Sequence, residues 1–193
     1  MTSMRKLVLT IAALNFAYFF VEMIVALSIG SVSLFADSVD FLEDTAVNML
    51  VFFALVWSHE RKQKVGSVLA VVILIPGIAA TWMAITKIIN PTPPSSDALT
   101  VTAFGALVVN LLCAFLLAQH RHNGENLVRA AWLSARNDSL ANILMIAAGV
   151  ATHFVATAWW DIVVGIIIAL VNTDAAKEVW EAAHADTPVE PEA

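Results

Sequence analysis

The run from Leu7 to Ile29 is apolar at every position except Thr10, Asn15, Tyr18, Glu22 and Ser28. At about 1.5 Å of helix rise per residue, it is long enough to cross the ~30 Å hydrocarbon core of a bilayer. It is also longer than the roughly 7 to 15 residues of a cleavable signal's hydrophobic region, so it is read as a retained first span. The rest of the composition follows the same line. With 60% hydrophobic and 13% charged residues and a mean hydropathy of +0.80, there is too little polar surface for a dissolved monomer. The chain is predicted to be an all-α integral membrane protein. Its 193 residues allow about six helices of roughly 20 residues each.

The link Gly30-Ser31-Val32-Ser33 leaves room only for a tight hairpin, so a second span, Leu34 to Trp57, returns beside the first. Span three is expected over Val65 to Ile89, with Pro76-Gly77 in mid-membrane predicting a kink or break. The run Asn90 to Ser96, with three prolines, reads as an exposed turn. Span four then covers Ala98 to Ala118, a polar loop Gln119 to Asn126, and span five Val128 to Val155. Thr157-Ala158-Trp159-Trp160 reads as a brief turn with interfacial tryptophans. The last apolar run, Ile162 to Val171, is short, so its helix is expected to continue through Asn172, Thr173 and Asp174 and to end near His184, outside the bilayer. Residues 1–173 form one six-helix transmembrane domain on this reading. Residues 174–193 form a helical and then disordered tail ending in acidic TPVEPEA, with no soluble C-terminal domain.

Basic residues set the orientation. Arg5, Lys6, Arg61, Lys62, Lys64, Arg121, Arg129 and Lys177 flank one set of span ends and Lys87 alone is near the other, which predicts cytoplasmic termini in a multi-pass protein of the bacterial plasma (inner) membrane. The net charge of -6 is divided between membrane acids and the tail, and nucleic acid is not an expected partner. Cys113, the single cysteine, lies in an apolar run and reads as a buried structural thiol.

The second span carries four acids in its first half: Asp37, Asp40, Glu43 and Asp44. Asp37, Asp40 and Asp44 fall at i, i+3 and i+7 on one helical stripe, with Glu43 on its flank. A mid-membrane Asp costs about 2.5 to 3.5 kcal/mol on an insertion scale, so something must compensate them. Asp40 and Asp44 have the DxxxD spacing that points both carboxylates at one place, and a divalent cation there would neutralise both. Span five, in WLSARNDSLANIL, is expected to supply the only other buried acid, Asp138. Ser134 and Asn142 lie four residues either side of it on the same face, Asn137 lies on the edge, and Arg136 points away, toward an acid of another span such as Glu43. A site of Asp40, Asp44 and Asp138, completed by Ser134 Oγ, Asn137, Asn142 or water, would be all oxygen. A structural polar cluster is the competing reading.

These residues resemble the cation diffusion facilitators, a family of six-span metal exporters. The resemblance runs from Asn15 and Glu22 through SVSLFADSVDFLED and LVRAAWLSARND to WWDIVVGIIIAL. In that family the second span carries an acid or His followed four positions later by Asp, the fifth carries HxxxD, and the four side chains bind Zn2+ or a related ion. The resemblance therefore implies Asp40, Asp44, Ser134 and Asp138 as ligands, with Ser134 standing where the family has His. Exchange of an imidazole for a hydroxyl favours harder or more hydrated ions such as Mn2+, Fe2+ or Co2+, and leaves Zn2+, Co2+, Mn2+, Fe2+ and Cd2+ undistinguished. It also implies alternating access, a homodimer, and exchange of metal for protons. Clustered carboxylates in a low dielectric hold protons when empty, and an arriving metal displaces them. The family's cytoplasmic domain, which contributes to dimerisation and regulation, is not expected here.

Asn15 and Glu22 lie at i and i+7 with Tyr18 between them, and read either as ion path and support for the metal or as interhelical hydrogen bonding. Asp37 and Glu43 read as path or support. The loop histidines His120 and His122 read as solvated, and His59, His153 and His184 carry no functional assignment. No Ser/His/Asp set, phosphate loop or HExxH is present, so neither an enzyme nor a resident cofactor is expected. A metal exporter comes first, ahead of a proton-coupled carrier of another small cation and a non-transporting membrane interaction protein.

Overall fold

The computed structural model describes the backbone of residues 2–54, 58–118, 126–171, 177 and 180–181, and within these all side chains but those of 2–4, 51, 54, 59, 62 and 126–136. Six helices follow one another: α1 (Thr2–Ile29), α2 (Val32–Ala54), α3 (His59–Ile89), α4 (Ser96–Ala118), α5 (Asn126–Phe154) and α6 (Trp159–Val171). Among the described residues there is no strand. The protein is an all-helical, multi-pass membrane protein.

The turn between α1 and α2 is tighter than its four-residue link suggests. Gly30 takes the left-handed conformation, with φ 64°, which ends α1 where a Cβ would be strained. Ser31 then caps α2, its Oγ accepting from the Leu34 amide at 3.2 Å and its carbonyl from Phe35 at 3.2 Å. Val32 and Ser33 therefore belong to the helix. Pro76 does not break α3, which runs through it from His59 to Ile89. The apolar membrane setting and neighbouring carbonyl geometry tolerate a proline that water-exposed helices reject. Trp159 and Trp160 lie in the first turn of α6 rather than in the loop, which ends at Ala158. The loop 119–125 and the continuation of α6 through Asn172 to Asp174 lie outside the described residues.

Among the described residues, three helices are long and apolar enough to cross a membrane, by length and composition: Arg5–Ile29, Gln63–Ile89 and Ser96–Ala118. The acidic α2 and the polar first half of α5 do not meet that measure. Each packs most extensively with an apolar neighbour, α2 with α1 and α5 with α4. The largest core cluster draws Ala26 from α1, Leu34, Phe35 and Ala36 from α2, Leu99 and Ala103 from α4, Met145 from α5 and Ile168 from α6. Outward-facing Ile24, Ile75, Trp82, Val101, Phe115 and Leu170 are exposed, as a lipid-facing surface requires.

At Gly165 α6 runs directly against the start of α2. A Cβ there would lie 2.7 Å from Val32 Cγ1 and 2.8 Å from the Ser33 nitrogen and the Val32 carbonyl carbon. Backbone atoms cannot swing aside as a side-chain tip can. Gly165→Ala is therefore expected to lower thermal stability by about 1–3 kcal/mol, the usual cost of overpacking. A thermal melt in detergent that matches the parent would show that α6 can back away from α2.

Candidate metal site

Because α1 and α2 are joined by a two-residue turn, they run antiparallel, and residues equally far from the turn are level. Asn15 and Asp44 are thus nearly level, and Asn15 Nδ2 donates to Asp44 Oδ2 at 3.2 Å. Cys113 of α4 donates its thiol to Asn15 Oδ1 at 3.6 Å, which fixes the amide's orientation. The buried thiol thus lies beside the acids. Nearer the turn, the Glu22 carboxyl adjoins that of Asp37. Tyr18, a turn from Glu22, donates its hydroxyl to the Thr102 carbonyl at 2.7 Å, tying α1 to α4.

The polar side chains of α2 divide by chemistry. Ser38, Thr45 and Asn48 donate to backbone carbonyls of their own helix, Phe35, Phe41 and Asp44 respectively. They bring their own donors, so burial costs them little. An ionised carboxylate has none and must be given a donor or a cation. Asp37 is fully buried and Asp40 is 8% exposed, while Glu43 and Asp44 are half-buried. With the carboxyls ionised, neither oxygen of Asp37, Asp40 or Glu22 has a hydrogen-bond donor, and both polar atoms of Asn142 lack a partner; a proton shared between Glu22 and Asp37 would join those two. Among the described residues, Arg5 Nε is the sole other buried side-chain nitrogen or oxygen without a partner.

From α5, Asp138 comes close enough for its charge to act on Asp40, alongside Asp37, Glu43 and Asp44. It also acts with Asp44 on Cys113. The fold thus sets the charges of Asp44 and Asp138 within reach of Asp40, with Asn15 bonded to Asp44 and Cys113 to Asn15. Asn142, one turn along α5, is fully buried. Asn137 is exposed. The side chains of Ser134 and Arg136 lie outside the described residues. Among the described residues, no three His, Cys, Asp or Glu side chains converge tightly enough to hold an ion in this conformation.

Asp138 is not the only other buried acid. Asp161, in the first turn of α6, is fully buried, and its carboxylate is well supplied with donors. It accepts from Ser31 Oγ at 2.6 Å, Ser33 Oγ at 2.7 Å, the Val32 amide at 2.9 Å and the Ser33 amide at 3.1 Å. Lys87 of α3 faces it at 3.6 Å and donates to the Gly30 carbonyl. Sequence spacing links none of these residues, since their partners are more than fifty positions away. The signal available was chemical. Ser31-Val32-Ser33 at a helix start lacks an acid in the first turn, and Lys87 was the one base at that end of the spans.

A family model for the cation efflux transmembrane domain matches residues 8–182. A cadmium, cobalt and zinc/H+-K+ antiporter of Bacillus subtilis (strain 168) is 24% identical over 179 residues, an alignment covering 86% of this chain. The alignment takes in 58% of that relative, so the chain spans less than two thirds of its length. The match runs from the first helix past the sixth and includes both acid-bearing helices, and with it the resemblance drawn from the second and fifth spans is borne out: the chain belongs to the cation efflux family.

Proposed function

We propose that the chain exports a divalent metal cation by alternating access in exchange for protons, with the ion held by Asp40, Asp44, Asp138 and Ser134. The observation that supports this most directly is the set of buried, unsatisfied polar atoms carried by Glu22 of α1, Asp37 and Asp40 of α2 and Asn142 of α5. Four such residues on three helices would burden a merely structural cluster, because unsatisfied buried groups cost roughly 1–3 kcal/mol each and more when charged. A cation satisfies them together. An incoming ion draws the carboxylates of Asp40, Asp44 and Asp138 inward and displaces the protons they hold when it is absent. Glu22, Asp37, Glu43 and Asn142 line its path or support the ligands, and Asn15 orients Asp44. The Bacillus relative's name describes an exchange of metal for H+ and K+, which agrees with a counter-ion here. The remaining parts of the reading are a homodimer in a bacterial plasma membrane with both termini cytoplasmic.

Uptake into proteoliposomes under an imposed pH gradient, run against Zn2+, Co2+, Mn2+, Fe2+ and Cd2+, tests the reading. Movement of none of these ions would sink it. Ser134→His restores an imidazole to an all-oxygen set and is expected to shift preference toward Zn2+ over Mn2+ by about tenfold, the scale of one good ligand interaction. An unchanged ratio would remove Ser134 from the ligands.

A further inference from the structure

The first amides of a helix have no partner within it, and their accounting at α2 is complete. Val32 N–H donates to Asp161 Oδ2, Ser33 N–H to Asp161 Oδ1, Leu34 N–H to Ser31 Oγ and Phe35 N–H to the Ser31 carbonyl. Two of the four acceptors are thus supplied by α6, and a carboxylate is the preferred charge at the positive end of a helix. The Ser31 and Ser33 hydroxyls bind the same carboxylate. Lys87, arriving from the last turn of α3, joins Asp161 to the Gly30 carbonyl that closes α1. One Asp and one Lys therefore gather the ends of four helices at the Gly30 turn. The close approach at Gly165, one turn further along α6, removes any slack between α6 and α2.

Asp40 and Asp44 lie eight and twelve residues beyond Val32 on the same unbroken helix, or about 12 and 18 Å along its axis. A helix held at its end by four hydrogen bonds to one carboxylate is fixed in height and in rotation. Rotation decides which way its carboxylates face, since a turn of about 100° is one residue's worth of helix. Resting on the transport reading above, we propose that Asp161 is a positioning residue for the ion: capping α2 from α6, with Lys87 as counter-charge, it sets Asp40 and Asp44 opposite Asp138.

The test compares the parent with Asp161→Asn, Lys87→Met and Ser33→Ala, each as the full chain purified in detergent and reconstituted. Initial rates of Zn2+, Co2+ or Mn2+ uptake, whichever the parent moves best, give KM and maximal rate. The rise in melting temperature produced by the same ion gives a second readout. The expected result is a KM raised about tenfold in Asp161→Asn and Lys87→Met, and two- to fivefold in Ser33→Ala, with a smaller change in maximal rate and a correspondingly weaker ion-induced rise. A purely structural cap would lower the melting temperature while leaving KM and the ion-induced rise at parental values, and that outcome overturns the proposal. Should Asp161→Asn fail to fold, Ser33→Ala decides alone, because it removes one hydroxyl and leaves the charge pair intact. If the parent moves no ion, the transport reading itself fails. If the parent transports, Asp40→Ala does not, and the three variants behave as the parent does, only the positioning role is lost.

Discussion

Asp40→Asn is expected to abolish transport while leaving the ion-free protein as stable as the parent or more so. Loss of a group that merely orients a metal ligand costs 10- to 100-fold, so loss of a ligand should reduce the rate on the order of a hundredfold or more. The stability half of the expectation follows from the surroundings. Asp40 is 8% exposed, has no hydrogen-bond donor, and has four other acids acting on it. Asn replaces a group that, without the ion, must either bear a charge among those acids or bind a proton to avoid it, and it relieves that cost, the trade by which functional sites are held at the expense of stability. Asp138→Asn should behave likewise. Parental uptake by either variant, measured in proteoliposomes with matched protein content, would remove the carboxylates from the ion's path. Lost uptake accompanied by a collapse of the melting temperature would favour a structural polar cluster.

Asp161→Ala should do the reverse to stability. Its carboxylate accepts four hydrogen bonds and faces an ammonium. Truncation leaves two amides and two hydroxyls without their acceptor and Lys87, 7% exposed, without its counter-charge. Breaking one side of a buried pair costs about 3–5 kcal/mol, which should appear as a large drop in melting temperature and as poor recovery from the membrane. In a Lys87→Met background the same truncation should cost less, because no buried ammonium is stranded, and a double-mutant cycle reads the difference. Equal costs in the two backgrounds would mean that Lys87 does not pair with Asp161. Two buried aspartates in one bundle are thus predicted to have opposite effects on stability. The difference lies wholly in whether the protein supplies donors.

That distinction also marks what could be read from the sequence. Helix number and the acid stripe of α2 follow from local periodicity and hydropathy, because helical spacing is a property of short segments. The choice of Asp138 as partner to α2 rested instead on its being the only other buried acid, which the burial of Asp161 overturns, and on the family resemblance. Helix ends were less legible. Val32 and Ser33 joined α2, and Trp159 and Trp160 joined α6, because caps supplied from elsewhere let a helix begin sooner than its own residues signal. Pro76 did not break α3, since a membrane helix can accommodate the lost hydrogen bond. Asp161 was missed as a buried acid for the same reason as the caps. Its four donors come from residues 128 to 130 positions away, and no periodicity reaches so far. Ser134 remains an assignment carried by spacing and family resemblance.

The two-residue turn at Gly30 has a consequence for how the protein is made. Alone, α2 is a poor candidate for insertion, since its aspartates and glutamate offset much of what its apolar residues gain. The turn allows no room for α1 to enter the bilayer while α2 waits in water. The two must partition together as a helical hairpin, with the hydropathy of α1 carrying its acidic partner across and Asn15 already nearly level with Asp44. Lengthening the turn with a flexible Gly-Ser insert should uncouple the pair at the translocon. Glycosylation-site mapping would then find a fraction of chains with α2 stranded outside the membrane.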